Sequence, residues 1–235
     1  MRYGLAPEDY IIPILARVPQ PIVFELGARR GEDTVRLARA LRTPYRYFAW
    51  EPDPRNVPWL EQAVAPLPAV TIVRAAAGAD DGTADFHLSS REQDPDYSDS
   101  SSLLRPTPAL RRIAPGLVFN ETVTVTVRTL DNFCVEQSVD HIDLIWADVE
   151  GAERLVAAGA RRMLPRTSLL MLEQSPEKLY EGAWTFDEMR STLGSEWIIV
   201  KRFDNDVLLY NRACMTPPND ADWVRFVRGC LRDLA

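Results

Sequence analysis

The stretch that decides the fold is Ile142-Asp143-Leu144-Ile145-Trp146-Ala147-Asp148-Val149-Glu150-Gly151-Ala152-Glu153. Apolar residues carry it to Ala147, the length of a short buried strand, and acids appear where the chain must turn. Gly151 permits that turn, and residues 152–164 continue with helical spacing. A strand that ends in acids and runs straight into a helix is part of a β–α unit. In an open α/β sheet, ligands sit at the carboxyl ends of the strands. Asp148 and Glu150 are therefore read as site residues, and Glu153 as a helix-capping acid.

The rest of the chain repeats that unit. Residues 7–18 have one apolar helical face interrupted by Pro13, so 1–21 is read as an N-terminal helical segment. Ile22-Val23-Phe24-Glu25-Leu26 is too apolar on both faces for a surface hairpin and reads as a buried strand. Gly27 and Gly31 bracket the following turn, and a helix starts near Glu32. Residues 45–50 form the next strand, closed by Glu51-Pro52, with Asp53 expected to cap a helix whose first turn holds Pro54. Residues 70–73 follow as a strand, leading into Ala75-Ala76-Ala77-Gly78. Asp81-Gly82 marks a hairpin turn before 83–88, and 123–127 alternates as a strand should. Residues 169–172 form another buried strand ending at Glu173-Gln174. Thr185-Phe186-Asp187-Glu188 matches a capping box, and 197–201 with 207–210 reads as a closing antiparallel hairpin. The expected fold is α/β: a doubly wound, mostly parallel sheet with one antiparallel strand and a small extra β-hairpin.

At 235 residues, with 46% hydrophobic and 26% charged residues, the chain suits a single globular domain. No apolar run approaches the roughly 18 residues needed to span a bilayer, and no secretory leader is apparent, so a cytoplasmic location is expected. Cys134, Cys214 and Cys230 have no metal-like spacing and read as reduced thiols. The formal charge of −7 disfavours nucleic acid as a partner. Residues 89–108, rich in serine, acids and proline, are expected to form a lid. Residues 219–235 place Trp223, Phe226, Cys230 and Leu234 on one helical stripe that docks on the domain or supports a homodimer.

The cofactor half of the site is read from four positions. Gly27 and Gly31 stand four apart with Ala28 and Arg29 between them, which does not provide the crowded G-x-G-x-x-G turn of a dinucleotide site. Glu51 is placed to accept both ribose hydroxyls, and Glu25 lies where the amino group of an amino-acid-bearing nucleoside would fall. This pattern fits S-adenosylmethionine better than NAD. An NAD-dependent oxidoreductase and a non-catalytic S-adenosylmethionine-binding module remain as alternatives.

Val127-Arg128-Thr129-Leu130-Asp131, Ile142-Asp143-Leu144-Ile145 and Asp148-Val149-Glu150-Gly151-Ala152-Glu153 together resemble the signature of the FkbM family of S-adenosylmethionine-dependent methyltransferases. Val23-Phe24-Glu25-Leu26-Gly27 through Gly31 resembles the family's first motif, and the similarity spans about residues 22–211. Three departures stand out: Glu25 where aspartate is usual, Trp146-Ala147 where lysine-isoleucine is usual, and the basic pair Arg29-Arg30. The resemblance implies a seven-stranded, Rossmann-like class I methyltransferase sheet and methyl transfer to a hydroxyl, often on a sugar or secondary metabolite. The expected cofactor-binding set is Glu25, Gly27, Ala28, Gly31, Glu51, Pro52, Ala76, Ala77, Ser102 and Asp148.

Methyl transfer to an alcohol needs alignment and removal of the hydroxyl proton. His141 precedes its strand at the far end from the ligand edge, and His87 is read as structural. Carboxylates remain: Asp148, Glu173 and Glu150 as catalytic candidates. Asp148, Glu173 and Gln174 are also the candidates for holding Mg²⁺ or another hard cation, an arrangement that resembles metal-dependent catechol-type methyltransferases.

Overall fold

The computed structural model describes residues 6–214, except 43, 92 and 95. The helix expected at 219–235, and the dimer face read from it, lie outside the described residues. The first half runs α1 (Pro7–Leu15), β1 (Ile22–Leu26), α2 (Glu32–Ala40), β2 (Arg46–Trp50), α3 (Val57–Val64), β3 (Val70–Val73), β4 (Ala76–Ala77) and β5 (Gly82–Arg91). The second half runs α4 (Pro108–Ile113), β6 (Leu117–Arg128), α5 (Leu130–Glu136), β7 (Ile142–Ala147), α6 (Glu153–Ala158), β8 (Thr167–Glu173), α7 (Phe186–Leu193), β9 (Trp197–Arg202) and β10 (Asp206–Asn211).

Seven strands form one sheet in the order β3-β2-β1-β7-β8-β10-β9. All its pairings are parallel except those of β10, which runs against both β8 and β9. Alternate residues of the central strands feed two separate cores, which is why their sequences are apolar throughout. Val23, Tyr47, Ala49, Leu144 and Trp146 pack toward α1–α3, against Ile11, Leu15, Leu37 and Leu60. Phe24, Leu26, Phe48, Trp50, Ile145 and Ala147 face the other way, against Phe133 of α5, Val156 of α6 and Met189 of α7. The doubly wound arrangement follows from this alternation.

Local signals explain most boundaries. Thr185 and Glu188 make the reciprocal capping box at α7, and Gly194 ends that helix at φ 84°. Three expectations need correction. The Asp81-Gly82 turn does not close a hairpin: β4 and β5 flank β6 in a three-stranded sheet, so the turn joins non-neighbouring strands. Asp53 caps the turn of residues 53–56 that leads into α3 rather than α3 itself, which begins at Val57: its Oδ1 accepts the Arg55 N–H at 2.9 Å and its carbonyl the Val57 N–H at 3.3 Å. The helix read across 152–164 stops at Ala158. A side chain at Gly159 would meet the Gly78 carbonyl oxygen at 1.9 Å, so two backbones meet there. Beyond it the Asp131 carboxylate, not the helix, accepts the N–H groups of Arg162 and Met163 at 2.9 and 3.0 Å.

Candidate active site

The strand order reverses between β1 and β7, and the site lies at the carboxyl ends of these strands. The backbone there is drawn tight. Asp148 N–H donates to the Leu26 carbonyl at 2.9 Å, and Gly27 and Ala28 N–H both donate to the Trp50 carbonyl at 2.9 and 2.8 Å. Gly27 has φ 92°, and a Cβ on it would fall 1.9 Å from the Asp148 carbonyl oxygen. Glycine is required here by sterics on both counts.

Above this junction lies a cavity of about 610 Å³, open mouth included, lined by Gly27, Trp50, Glu51, Pro52, Ala75–Ala77, Phe86, Leu103, Asp148 and Glu150, among others. Glu51 closes β2 and is 4% exposed. Its carboxylate accepts Arg29 N–H at 2.6 Å, Asp53 N–H at 2.8 Å and the Asn56 amide at 3.4 Å, which fixes its direction. Burial pushes its pKa up to about 8, against the pull of the Asp53 and Arg29 N–H groups. Trp50 Nε1, on the same wall, is buried without a partner. An oriented acceptor, an unpaired donor and walls of alanine, phenylalanine and leucine fit a nucleoside with a flat aromatic base and a diol ribose.

The serine-rich segment supplies the outer wall through Ser98, Asp99, Ser101 and Leu103. Arg29 pairs with Asp99, and Arg30 donates to the Asp96 carbonyl at 2.8 Å. Ser98 donates to Asn56 at 2.6 Å, and Ser101 to Asp53 at 3.1 Å. Residues 89–91 belong to β5, and Ser98 and Ser101 are bonded to Asn56 and Asp53 on the cofactor side of the cavity.

The acids gather beside this cavity. Asp148, Glu150 and Glu173 place carboxylate oxygens within 4.8 Å of one another. Asp148 is open to the cavity yet surrounded by protein; burial raises its pKa to about 6, and the like charges of Asp206, Asp33 and Asp99 add to that. Glu150 has a left-handed backbone, φ 51°, which turns its carboxylate toward Tyr180 OH at 2.7 Å. Burial, then the Asp148 charge, raises it to about 8. Glu173 is pushed well above the usual carboxylate range by burial and by Glu150 and Asp148. Like charges this close cannot all ionise, so the most easily ionised, Asp148, is separated from its neighbours.

The structure thus brings together Gly27, Glu51, Pro52, Ala76, Ala77, Asp148 and Glu150 on one cavity. It places five other expected residues elsewhere. Glu25 points between β1 and α2, where one of its oxygens accepts the Thr34 and Tyr47 hydroxyls, so it is not on the cavity. Burial raises it to about 8. Its register partner on β7 is Trp146, so two departures from the family pattern fall on paired positions of adjacent strands. Ala28 is buried in the core beneath α2, and Gly31 (φ 90°) is needed because a Cβ would press on Leu60 at 2.8 Å. Ser102 props the wall by donating to the Glu150 carbonyl at 2.8 Å. Gln174 lies beside Glu173 on a neighbouring pocket, its N–H donating to the Asn205 carbonyl at 2.7 Å, and Glu150 joins Asp148 and Glu173 in the acid cluster. His141 bonds Asp143 and Ser168, and His87 contacts Thr122, away from the cavity lining.

Sequence reasoning missed Arg29, Trp50, Asn56, Ser98, Asp99 and Ser101 as lining residues. The signal for the first two was their position next to Gly27 and Glu51. The loop residues carry no periodicity that would have shown them.

A reversed strand near one edge of a seven-stranded parallel sheet, with a glycine turn and a strand-closing acid at its switch point, defines an enzyme of the class I methyltransferase type. The chain belongs to the FkbM methyltransferase family, whose Methyltransferase FkbM domain matches residues 25–203. It is accordingly an S-adenosylmethionine-dependent methyltransferase, and the nicotinamide alternative falls away. It is 31% identical over 204 residues to the 2-O-methyltransferase NoeI of Sinorhizobium fredii, covering 86% of this chain and 83% of that one. Among solved structures, a methyltransferase from Geobacter sulfurreducens matches with TM-score 0.46 and 17% identity, over 88% of this chain and 79% of that one. An rRNA methylase from Streptococcus thermophilus matches with TM-score 0.45 and 10% identity, over 89% and 98%. No helix among the described residues is long and apolar enough to cross a membrane.

Proposed function

We propose that the protein methylates a hydroxyl oxygen of a small molecule, with Asp148 as the base. The observation that carries this reading is the position of the acid cluster between two cavities. Asp148 and Glu150 line the cofactor cavity, while Glu173 lines a second pocket of about 320 Å³ with Glu153, Gln174, Tyr180 and Trp184. An acceptor in the second pocket would present its hydroxyl to the acids that face the first. The similarity to a protein named as a 2-O-methyltransferase supports oxygen as the methyl acceptor.

S-adenosylmethionine supplies, when bound, a methyl group activated by its positively charged sulfur. Glu51 and the Gly27 turn hold the nucleoside end, and Phe86, Leu103 and Val149 keep water from that side. Asp148, at about 6, is ionised at neutral pH and takes the acceptor proton onto a carboxylate oxygen. Glu150, raised to about 8, stays protonated and hydrogen-bonds the acceptor, while burial and the nearby acids push Glu173 in the same direction.

The three converging carboxylates favour one second reading, a hard cation such as Mg²⁺ held by oxygen ligands that lowers the hydroxyl's pKa. One experiment tests both. The protein is incubated with methyl-labelled S-adenosylmethionine and panels of hydroxylated or amine acceptors, with and without EDTA. Label on hydroxyls, unchanged by EDTA, is expected. Label only on amines refutes the oxygen reading, and loss of turnover in EDTA that Mg²⁺ restores replaces the base with the cation.

A further inference from the structure

We propose that Tyr180 is a positioning residue of the methyl-transfer site: its hydroxyl ties the outer wall of the cofactor cavity to the Glu150 carboxylate, so that wall and acid are set together. This rests on the reading of the acid cluster given above.

Tyr180 is 1% exposed, and its oxygen lies 2.7 Å from Glu150 Oε2 and 2.9 Å from the Ser100 carbonyl. Ser100 is flanked by Asp99 and Ser101, both of which line the cofactor cavity. A single hydroxyl therefore joins the cavity wall to the turn that carries the acids. A carbonyl can only accept, so the single phenol proton goes to Ser100, and the protonated Glu150 carboxyl donates to the phenol oxygen.

The surrounding chain is built to put the ring there. Residues 105–107 pair with 179–181: Thr107 N–H donates to the Leu179 carbonyl and Glu181 N–H to the Arg105 carbonyl, both at 2.8 Å, across the Pro106–Tyr180 bridge. A Cβ at Gly151 would meet Tyr180 Cδ2 at 2.8 Å and Tyr180 Cβ at 3.1 Å, so the glycine after Glu150 makes room for this ring. Ser102, donating to the Glu150 carbonyl, is the second tie between the same wall and the same turn. Packing alone does not account for the hydroxyl. The ring's aromatic neighbour, Phe119, meets it edge-on at 6.4 Å, and a phenylalanine would make the same contact.

Tyr180→Phe preserves the ring and deletes the tie. The expected result is an S-adenosylhomocysteine Kd about tenfold higher by calorimetry, a melting temperature within a few degrees of wild type, and kcat reduced more than the acceptor KM changes. An unchanged Kd and kcat would overturn the proposal. If the variant does not fold, Tyr180→3-fluorotyrosine reports directly: its ¹⁹F resonance shifts when S-adenosylhomocysteine saturates the cavity, and an unmoved resonance overturns the tie. Wild-type protein that binds no S-adenosylhomocysteine would refute the cofactor assignment instead, which keeps the two failures apart.

Discussion

Glu51→Ala is the perturbation that most directly probes the cofactor half of the site. The wild-type carboxylate is buried and aimed by Arg29 N–H at 2.6 Å, Asp53 N–H at 2.8 Å and the Asn56 amide at 3.4 Å, and it borders the cavity. Hydrogen bonds to charged groups contribute about 1.5–3 kcal/mol each, so two ribose hydroxyls on this carboxylate amount to about 3–6 kcal/mol. Water entering the truncated site recovers part of that, and about 3 kcal/mol of net loss corresponds to a rise in Kd of roughly a hundredfold. Calorimetry with S-adenosylhomocysteine reads the change. A pH series adds a second signature. The free acid is raised to about 8 by burial. Ribose donors favour its ionised form, so the complex has the lower pKa, and affinity should climb with pH until it levels off near 8. Glu51→Gln, with no charge to titrate, should bind weakly and show less of this climb. A Glu51→Ala Kd within threefold of wild type refutes the ribose role outright.

Asp148→Asn should lower turnover by about 10²–10⁴, the usual contribution of a general base, while leaving the S-adenosylhomocysteine Kd within a few-fold; single-turnover assays separate the two. Gly27→Ala must relieve a Cβ lying 1.9 Å from the Asp148 carbonyl at a backbone φ of 92°, so the variant should be strongly destabilised in urea titrations and show no stable cofactor binding. Glu25 is raised from 4.5 to about 8, chiefly by burial, so between those values the folded chain holds a proton that the unfolded chain has released. Its stabilising share is complete below pH 4.5 and is lost as pH rises through about 8. Urea midpoints for the wild type should fall between pH 5.5 and 8.5, and Glu25→Gln should flatten part of that fall; equal slopes in the two proteins would count against the buried acid as its source.

The legible and illegible parts of this protein divide by range along the chain. Strand ends and helix starts were readable because their causes are local: the apolar run 142–147, the glycines at 27 and 31, the Thr185–Glu188 box. The helix after Glu153 was read too long because its end is set by Gly78 and Asp131, each more than 20 residues away along the chain. Glu25 was assigned to the ligand from its neighbourhood to Gly27. Strand alternation, however, sends positions 23 and 25 to one face, and that face is covered by α2. Residues 89–108 were expected to form a lid, but the bonds of Ser98 to Asn56 and Ser101 to Asp53 were not legible, because serine in a loop does not reveal which residues it will bond.

By itself, the sequence determined a doubly wound sheet, an acid closing a strand at Glu51 and a strand ending in Asp148, since hydrophobic period, glycine and charge act within a few residues. Only the tertiary structure decided which acids share a site. It set Glu150 beside Asp148 and Glu173, placed Glu25 under a helix, and laid Tyr180 across Gly151 onto both the cavity wall and the acid turn. Those choices depend on distances between strand ends and on burial, which raises or lowers a carboxylate's pKa only once the chain has closed around it.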